Sequence, residues 1–246
     1  KSYESWLNSN FIENIMEQLD FNCNKKKIMY KFMGVGTYDE YEYSMNELRP
    51  PNSDKLNPDN IINLLLSLGE EKNKLYTLHY VINTCCVYST GQHFLAMTIQ
   101  KYNKEIFISY FDSQRTKGPY RKDESPPDNN IVYSQVPPIY RNKFINYKSK
   151  FYDWYEMLEN KIKEKTQYIL KTPSQPFYNT IIYQKDNHSC GIYSMFIGYL
   201  ASTMSQPFKS SLDLNKIDNI FIEYSKNKSY DDTMAVFIES ISIEEK

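Results

Sequence analysis

The chain has 246 residues, 41% hydrophobic and 24% charged, with a net charge of −1. That length can bury a substantial core, and the near-neutral balance supplies no global field for nucleic acid or an anionic membrane. The longest apolar runs fall far short of the roughly 20 residues of a membrane span, and no signal peptide is visible, so neither nucleic acid nor a membrane is expected as a partner.

In chain order, residues 8 to 20 are predicted as a helix. Phe11, Ile12, Ile15, Met16 and Leu19 share one face, and Asn8, Ser9 and Asn10 offer caps. A Tyr- and acid-rich loop follows at 37–47, then a Pro-rich turn. Asn57-Pro58 starts a second helix through Leu68, stopped by Gly69. Residues 75–82 read as a strand, 94–111 as a β-hairpin, and 113–131 as a polar, Pro-rich loop. A long amphipathic helix is predicted at 148–170, with Phe151, Trp154, Tyr155, Leu158 and Ile162 on one side. Residues 178–183 read as a strand ending at Gln184, and a helix runs from Cys190 to about Thr203. Two more amphipathic helices are predicted near 212–225 and 231–242. Helices, a central sheet, then helices again define an α+β protein of one domain. The chain starts at Lys1 rather than Met, which reads as a piece of something longer. Gly is scarce, at seven residues, while Asn, Lys, Ile and Tyr abound, a bias attributed to the source genome.

The hairpin carries the first sign of chemistry. A two-residue turn at Tyr102-Asn103 pairs His93 with Asp112, Leu95 with Tyr110, Met97 with Ile108 and Ile99 with Ile106. Directly opposed residues have Cβ atoms about 4.5–5.5 Å apart. A carboxylate there can accept a hydrogen bond from one imidazole nitrogen and leave the other as a base, the orienter and base of a nucleophilic site. Polar hairpin ends are also common, so the pair alone does not decide the matter.

The four cysteines, Cys23, Cys85, Cys86 and Cys190, match neither a zinc spacing nor a disulfide framework. No metal or other cofactor is expected, and a reducing compartment is. Cys190 lies where a buried helix starts, with Ser189 or Asn187 as candidate caps. The positive end of the helix dipole and an adjacent imidazolium both favour a thiolate. Gly191 leaves room for a substrate backbone, the Cys190 N–H can donate to an oxyanion, and Gln184 can donate a second bond. A buried, inert thiol is the plainer alternative. Cys85 and Cys86 at a strand end, His79 in mid-strand and His188 two residues from Cys190 are rivals read as structural.

His93, Asp112, Gln184 and Cys190, in that chain order, resemble the cysteine proteases of the CE clan, which includes SUMO proteases, adenovirus-type proteases and bacterial effector deubiquitinases. SWLNSNFIENIMEQL at 5–19 is similar to the WLND-x-x-I helix of the SUMO-protease branch through Trp6, Leu7, Asn8 and Ile12. The resemblance implies a papain-like domain over 1–246. Its core spans about 5–203, a variable insertion between Asp112 and Cys190 occupies about 113–177, and helices cover 210–246. It implies that Cys190 attacks the carbonyl of the C-terminal glycine of a ubiquitin-like modifier, that His93 moves the proton, that Asp112 orients His93, and that Gln184 holds the oxyanion. Trp6 and Phe94 would sandwich the Gly-Gly tail, with Phe94 standing where many relatives have Trp. Ser9 and Ser189 depart from the usual Asp positions.

Insertions in the clan tend to meet the modifier, and Asp39, Glu40 and Glu42 suit a basic tail such as that of ubiquitin; a solvated acidic loop is the plainer alternative. The expected function is therefore a deubiquitinating isopeptidase, monomeric, acting as a microbial effector in a host cytosol. SUMO or NEDD8 as the modifier, and an effector acetyltransferase using the same thiol, are the alternatives. The acetyltransferase reading wants a Glu in place of Asp112 and a basic pocket, for which only 115–122 offers charge. A modifier-binding module without catalysis has no need of an aligned base.

Overall fold

The structure is a computed structural model that describes residues 9–37, 41, 55–84, 93–124, 149–184 and 189–217. Helix α1 spans Ser9–Lys25, β1 Tyr30–Thr37, α2 Pro58–Ser67, β2 Leu75–Asn83, β3 Phe94–Tyr102 and β4 Glu105–Phe111. Then come α3 at Phe151–Lys165, β5 at Ile169–Leu170, β6 at Phe177–Tyr178, α4 at Cys190–Thr203 and α5 at Ser211–Asn215. The strands form one mixed six-stranded sheet in the order β1-β2-β3-β4-β5, with β6 also pairing β4. The architecture is α+β, a mixed sheet flanked by helices.

Period-2 alternation divides the core into two layers. Leu78, Tyr80 and Ile82 of β2, Leu95, Met97 and Ile99 of β3, and Ile106, Ile108 and Tyr110 of β4 pack with Ile61, Ile62 and Leu65 of α2 and Trp154, Leu158 and Ile162 of α3. The opposite face takes Val81, Phe94, Ala96 and Phe111 against Ile12 and Met16 of α1 and most of α4. Helix α4 is buried on nearly every side, as its all-round apolar sequence requires. Polar residues beneath it are satisfied among themselves: Thr98 and Ser109 share a 2.9 Å hydroxyl bond, and Gln100 Oε1 accepts from the Phe208 N–H at 2.8 Å.

The hairpin register differs from the predicted one by two residues. Tyr102 pairs with Glu105, Ile99 with Ile108 and Met97 with Tyr110. The turn is Asn103-Lys104, with Asn103 at the first central position and a left-handed φ of 56°, as a type II′ turn needs. A slip of two keeps every side chain on its face, so the apolar pattern cannot distinguish the two registers. His93 and Asp112 therefore lie just beyond the ladder, diagonal rather than opposed.

Other expectations change at their ends. Helix α1 runs on to Lys25. Helix α3 stops at Lys165 because Thr166 is extended and its hydroxyl donates to Ile162 O at 2.7 Å, and the chain then turns into β5. The strand expected at 178–183 reduces to Phe177–Tyr178. Beyond it the Asn179 carboxamide replaces the ladder: Oδ1 accepts from Asp112 N at 3.0 Å, and Nδ2 donates to Asp112 O at 2.8 Å. Strand β1 is missed by the sequence reading because a bulge between Phe32 and Val35 breaks its alternation. Gly34 takes φ 104°, where a Cβ would stand 2.6 Å from Lys55 Nζ. The helix expected at 212–225 is helical over Ser211–Asn215, and residues 218–225 lie outside the described residues. The helix expected at 231–242 lies outside the described residues.

Candidate active site

The two arms of the hairpin end side by side. The backbone of His93 is held where β2 continues, its carbonyl accepting from Thr84 N at 2.8 Å. Asp112 is the first residue past β4. Its Oδ1 takes His93 Nε2 at 2.7 Å and Gln114 N at 3.0 Å, while the Asn179 carboxamide grips both of its backbone groups. Both side chains are buried. Among the described residues the second carboxylate oxygen of Asp112 is buried without a hydrogen bond, so the carboxylate's pairing runs through Oδ1, to His93 and Gln114 N.

The other ring nitrogen, Nδ1, is buried and has no well-aligned hydrogen bond, and the Cys190 side chain interacts with the ring. Burial, the largest single influence, pulls the His93 pKa down. The bond to Asp112 and the neighbouring Cys190 together outweigh it and raise His93 to about 10. A buried imidazole is thus held between a carboxylate and a thiol.

Cys190 is the first residue of α4 and is 2% exposed. Of the two candidate caps, Ser189 does not serve: it has helical backbone angles (φ −83°, ψ 0°) and makes no side-chain cap bond, because capping geometry needs an extended residue there. Asn187 and His188 lie outside the described residues. The Ser189 carbonyl accepts the first helical bond, from Tyr193 N at 3.0 Å.

Gln184 reaches the same place from the β6 side. Its backbone N–H and that of Tyr183 donate to Ser113 O at 3.0 and 2.9 Å. Its side-chain Oε1 accepts from the Ser113 hydroxyl at 2.7 Å. Three rings lie behind the site: Phe111 and Tyr183 have centroids 5.5 Å apart, Tyr183 and Tyr193 6.2 Å, and Phe111 and Tyr193 6.3 Å. Each is tied by sequence to one candidate site residue, since Phe111 precedes Asp112, Tyr183 precedes Gln184 and Tyr193 lies one turn beyond Cys190. Ser113, Asn179 and this aromatic group are absent from the sequence reading. Their only local signal is nearness along the chain: Phe111 and Ser113 flank Asp112, Tyr183 precedes Gln184, Asn179 lies five residues before Gln184 and Tyr193 three beyond Cys190.

Phe94 and Gly191 are both buried, Phe94 in the core cluster that also holds Cys190. Trp6, Asp39, Glu40, Glu42, Cys85 and Cys86 lie outside the described residues. His79 is fully buried in β2, with Nδ1 2.9 Å from the Tyr30 hydroxyl, and desolvation lowers its pKa to about 3. It stays neutral, packed against the Tyr30 and Phe32 rings. In the basic stretch at 115–122, Arg115 pairs with Glu124 and lies over the Tyr120 ring, and Lys122 pairs with Asp153. Among the described residues no helix is long and apolar enough to cross a membrane.

A buried His–Asp pair, a thiol at a helix start and a carboxamide from a third segment, set on a mixed α+β sheet, are the kinds of group that thiol-based nucleophilic chemistry requires. No protein-family model matches the chain, and no curated protein matches it. Among solved structures the chain is similar to the ASFV pS273R protease, at 15% identity and a TM-score of 0.46, over 92% of this chain and 64% of that one. It is similar to the SUMO protease Ulp1 with its catalytic cysteine oxidized to a sulfinic acid, at 16% identity and a TM-score of 0.41, over 96% and 77% of the two chains. It is also similar to the Legionella pneumophila effector protein RavZ, at 12% identity and a TM-score of 0.37, over 84% and 46%. The chain thus spans less than two thirds of the ASFV protease and about half of RavZ.

Proposed function

We propose that the protein is a CE-clan cysteine protease that cleaves after the C-terminal Gly-Gly of a ubiquitin-like modifier, and that the modifier is ubiquitin. The observation that carries the chemistry is the His93 imidazole held between Asp112 Oδ1, at 2.7 Å, and the Cys190 side chain. Cys190 Sγ attacks the glycine carbonyl as His93 takes the thiol proton. The developing oxyanion takes the Cys190 N–H and the Gln184 carboxamide as donors. The His93 imidazolium, steadied by Asp112, then protonates the departing amine, and water hydrolyses the thioester by the reverse use of the same base.

The choice of substrate rests on the sequence. The resemblance implies a narrow channel walled by Trp6 and Phe94, and only glycine lacks a side chain to clash with such a channel. Asp39, Glu40 and Glu42 suit the Arg-containing end of ubiquitin. A microbial effector working in a host cytosol fits the Lys-, Asn- and Ile-rich composition. An acetyl carrier is less well supported, because Arg115 and Lys122 of the one basic stretch are already paired with carboxylates.

Ubiquitin, SUMO and NEDD8 bearing electrophilic C-termini test the assignment. The expected result is covalent capture of ubiquitin by the native protein and none by Cys190→Ala. Capture of SUMO or NEDD8 instead reassigns the modifier, and capture of none of the three overturns the protease reading.

A further inference from the structure

We infer that Asn179 is a positioning residue for the base: its carboxamide holds the backbone of Asp112 where the carboxylate meets His93. The inference rests on the protease reading and deepens it. The His93–Asp112 bond joins two chain ends that lie past the ladder. The last hairpin pair is Ala96 with Phe111, and the last pair of β4 with β6 is Tyr110 with Tyr178. At that point the Asn179 side chain takes up the ladder. Its Oδ1 accepts from Asp112 N at 3.0 Å, and its Nδ2 donates to Asp112 O at 2.8 Å, so one side chain makes both bonds of the next rung.

The polarity of this carboxamide is fixed by its partners, because a backbone N–H only donates and a backbone carbonyl only accepts. The oxygen end faces Asp112 N. The nitrogen end meets three carbonyls: Asp112 O, Ile181 O at 2.9 Å and Arg115 O at 3.1 Å. A flipped carboxamide would set oxygen against oxygen at all three. Asn179 is 1% exposed, so each bond lost there is costly. Asp112 O also accepts from Arg115 N at 3.2 Å, and Asp112 Oδ1 from Gln114 N. Those two bonds lie within the turn and move with it. The Asn179 bonds instead refer the turn to the end of β6, a separate element. They also let the backbone leave β6, so that Tyr183 N and Gln184 N reach Ser113 O at 2.9 and 3.0 Å a few residues on. Such anchoring matters because a misplacement of about 1 Å among reacting groups can cost about 10²-fold in rate.

The test follows the His93 Nε2–H proton by NMR, together with hydrolysis of a fluorogenic C-terminal amide of the modifier that labels Cys190. A proton held between an imidazolium and a buried carboxylate resonates far downfield, and the signal is read without substrate. In Asn179→Ala it should move upfield or broaden through solvent exchange. There kcat should fall by about 10–100-fold, with KM unchanged. Adding Asn179→Ala to Asp112→Asn should cost little further, because the carboxylate it positions is already gone. Asn179→Ser is too short to span both backbone groups of Asp112. It should behave the same way, and it serves where the alanine variant does not fold. Thr180→Ala, which removes the acceptor of an exposed 2.7 Å bond from Asn215 Nδ2, should leave both readouts native. A native signal and native kcat in Asn179→Ala, beside a slow Asp112→Asn, overturn the inference and leave the protease reading standing. Equal losses in the native and Asp112→Asn backgrounds also overturn it, since they mark general disruption of the site. A downfield signal that Asn179→Ala abolishes, in a protein that hydrolyses none of the three modifier amides, supports the positioning role and overturns the protease reading instead.

Discussion

His93 is the residue on which the chemistry turns, and its environment makes a directional claim. Asp112 and Cys190 stabilise the imidazolium against a burial that opposes it, and the group is raised to about 10. As the proton donor to the leaving amine, His93 should sustain turnover through mildly alkaline pH and fail as pH rises through about 10. Asp112→Asn keeps an acceptor for Gln114 N but removes the charge. It should lower kcat/KM by about 10²–10⁴-fold and move the alkaline limb to lower pH. A pH profile of kcat/KM for both proteins checks this, and an unmoved limb would argue against His93 as the donor. The pair itself is legible in the sequence because hairpin alternation puts residues 93 and 112 near one another in either register. Ser113 and Asn179 are not legible, because a serine and an asparagine declare a role only once the segment some 70 residues away is in place.

At the scale of elements, the placement of α4 against the sheet decides where Cys190 stands. Gly198 is the closest point of approach: a Cβ there would come within 2.3 Å of the His79 ring and 2.5 Å of Met16 Cε. Gly198→Ala must push α4 away from β2 or displace the histidine. It is expected to cost about 1–3 kcal/mol in urea unfolding and to slow turnover by shifting the helix start. Gly69→Ala, where the nearest atom is the Tyr76 hydroxyl at 3.0 Å, should cost less. Elements with a clear local signal are readable: the amphipathic α3, α2 with its Asn57-Pro58 start and Gly69 stop, and the apolar runs of α4 and β2. Strand β1 is not, since glycines and a bulge erase its alternation. The segment after β6 misleads, because Asn179 supplies by side chain the hydrogen bonds that a strand would supply by backbone.

For the molecule as a whole, the two described histidines set opposite limits on stability. Folded His79 stays neutral down to about pH 3, whereas unfolded it takes a proton near 6.5. Its burial therefore costs stability progressively as pH falls from about 6.5 towards 3. Folded His93 holds its proton up to about 10, so its contribution is complete below about 6.5 and is lost as pH rises through 10. Each should change stability by on the order of 1 kcal/mol per pH unit within its window. Urea midpoints from pH 4 to 10 are expected to peak near neutrality. His93→Gln should flatten the alkaline side, and the His79 ring resonances should not titrate between pH 7.5 and 5. A His79 that titrates in that range contradicts its assignment as a buried neutral group.

Sequence alone determined the features that depend on near neighbours: the amphipathic helices, the hairpin with a histidine and an aspartate at its open end, and a cysteine where a buried helix begins. These are set by side-chain period and by helix-terminus chemistry, which act within a few residues. Tertiary structure alone decided the two-residue register, the order of the strands, and the bonds of Asn179 and Ser113 that join the hairpin end to the Gln184 segment. Those depend on which distant surfaces meet, and a period-2 pattern or a single polar side chain is equally compatible with several such meetings.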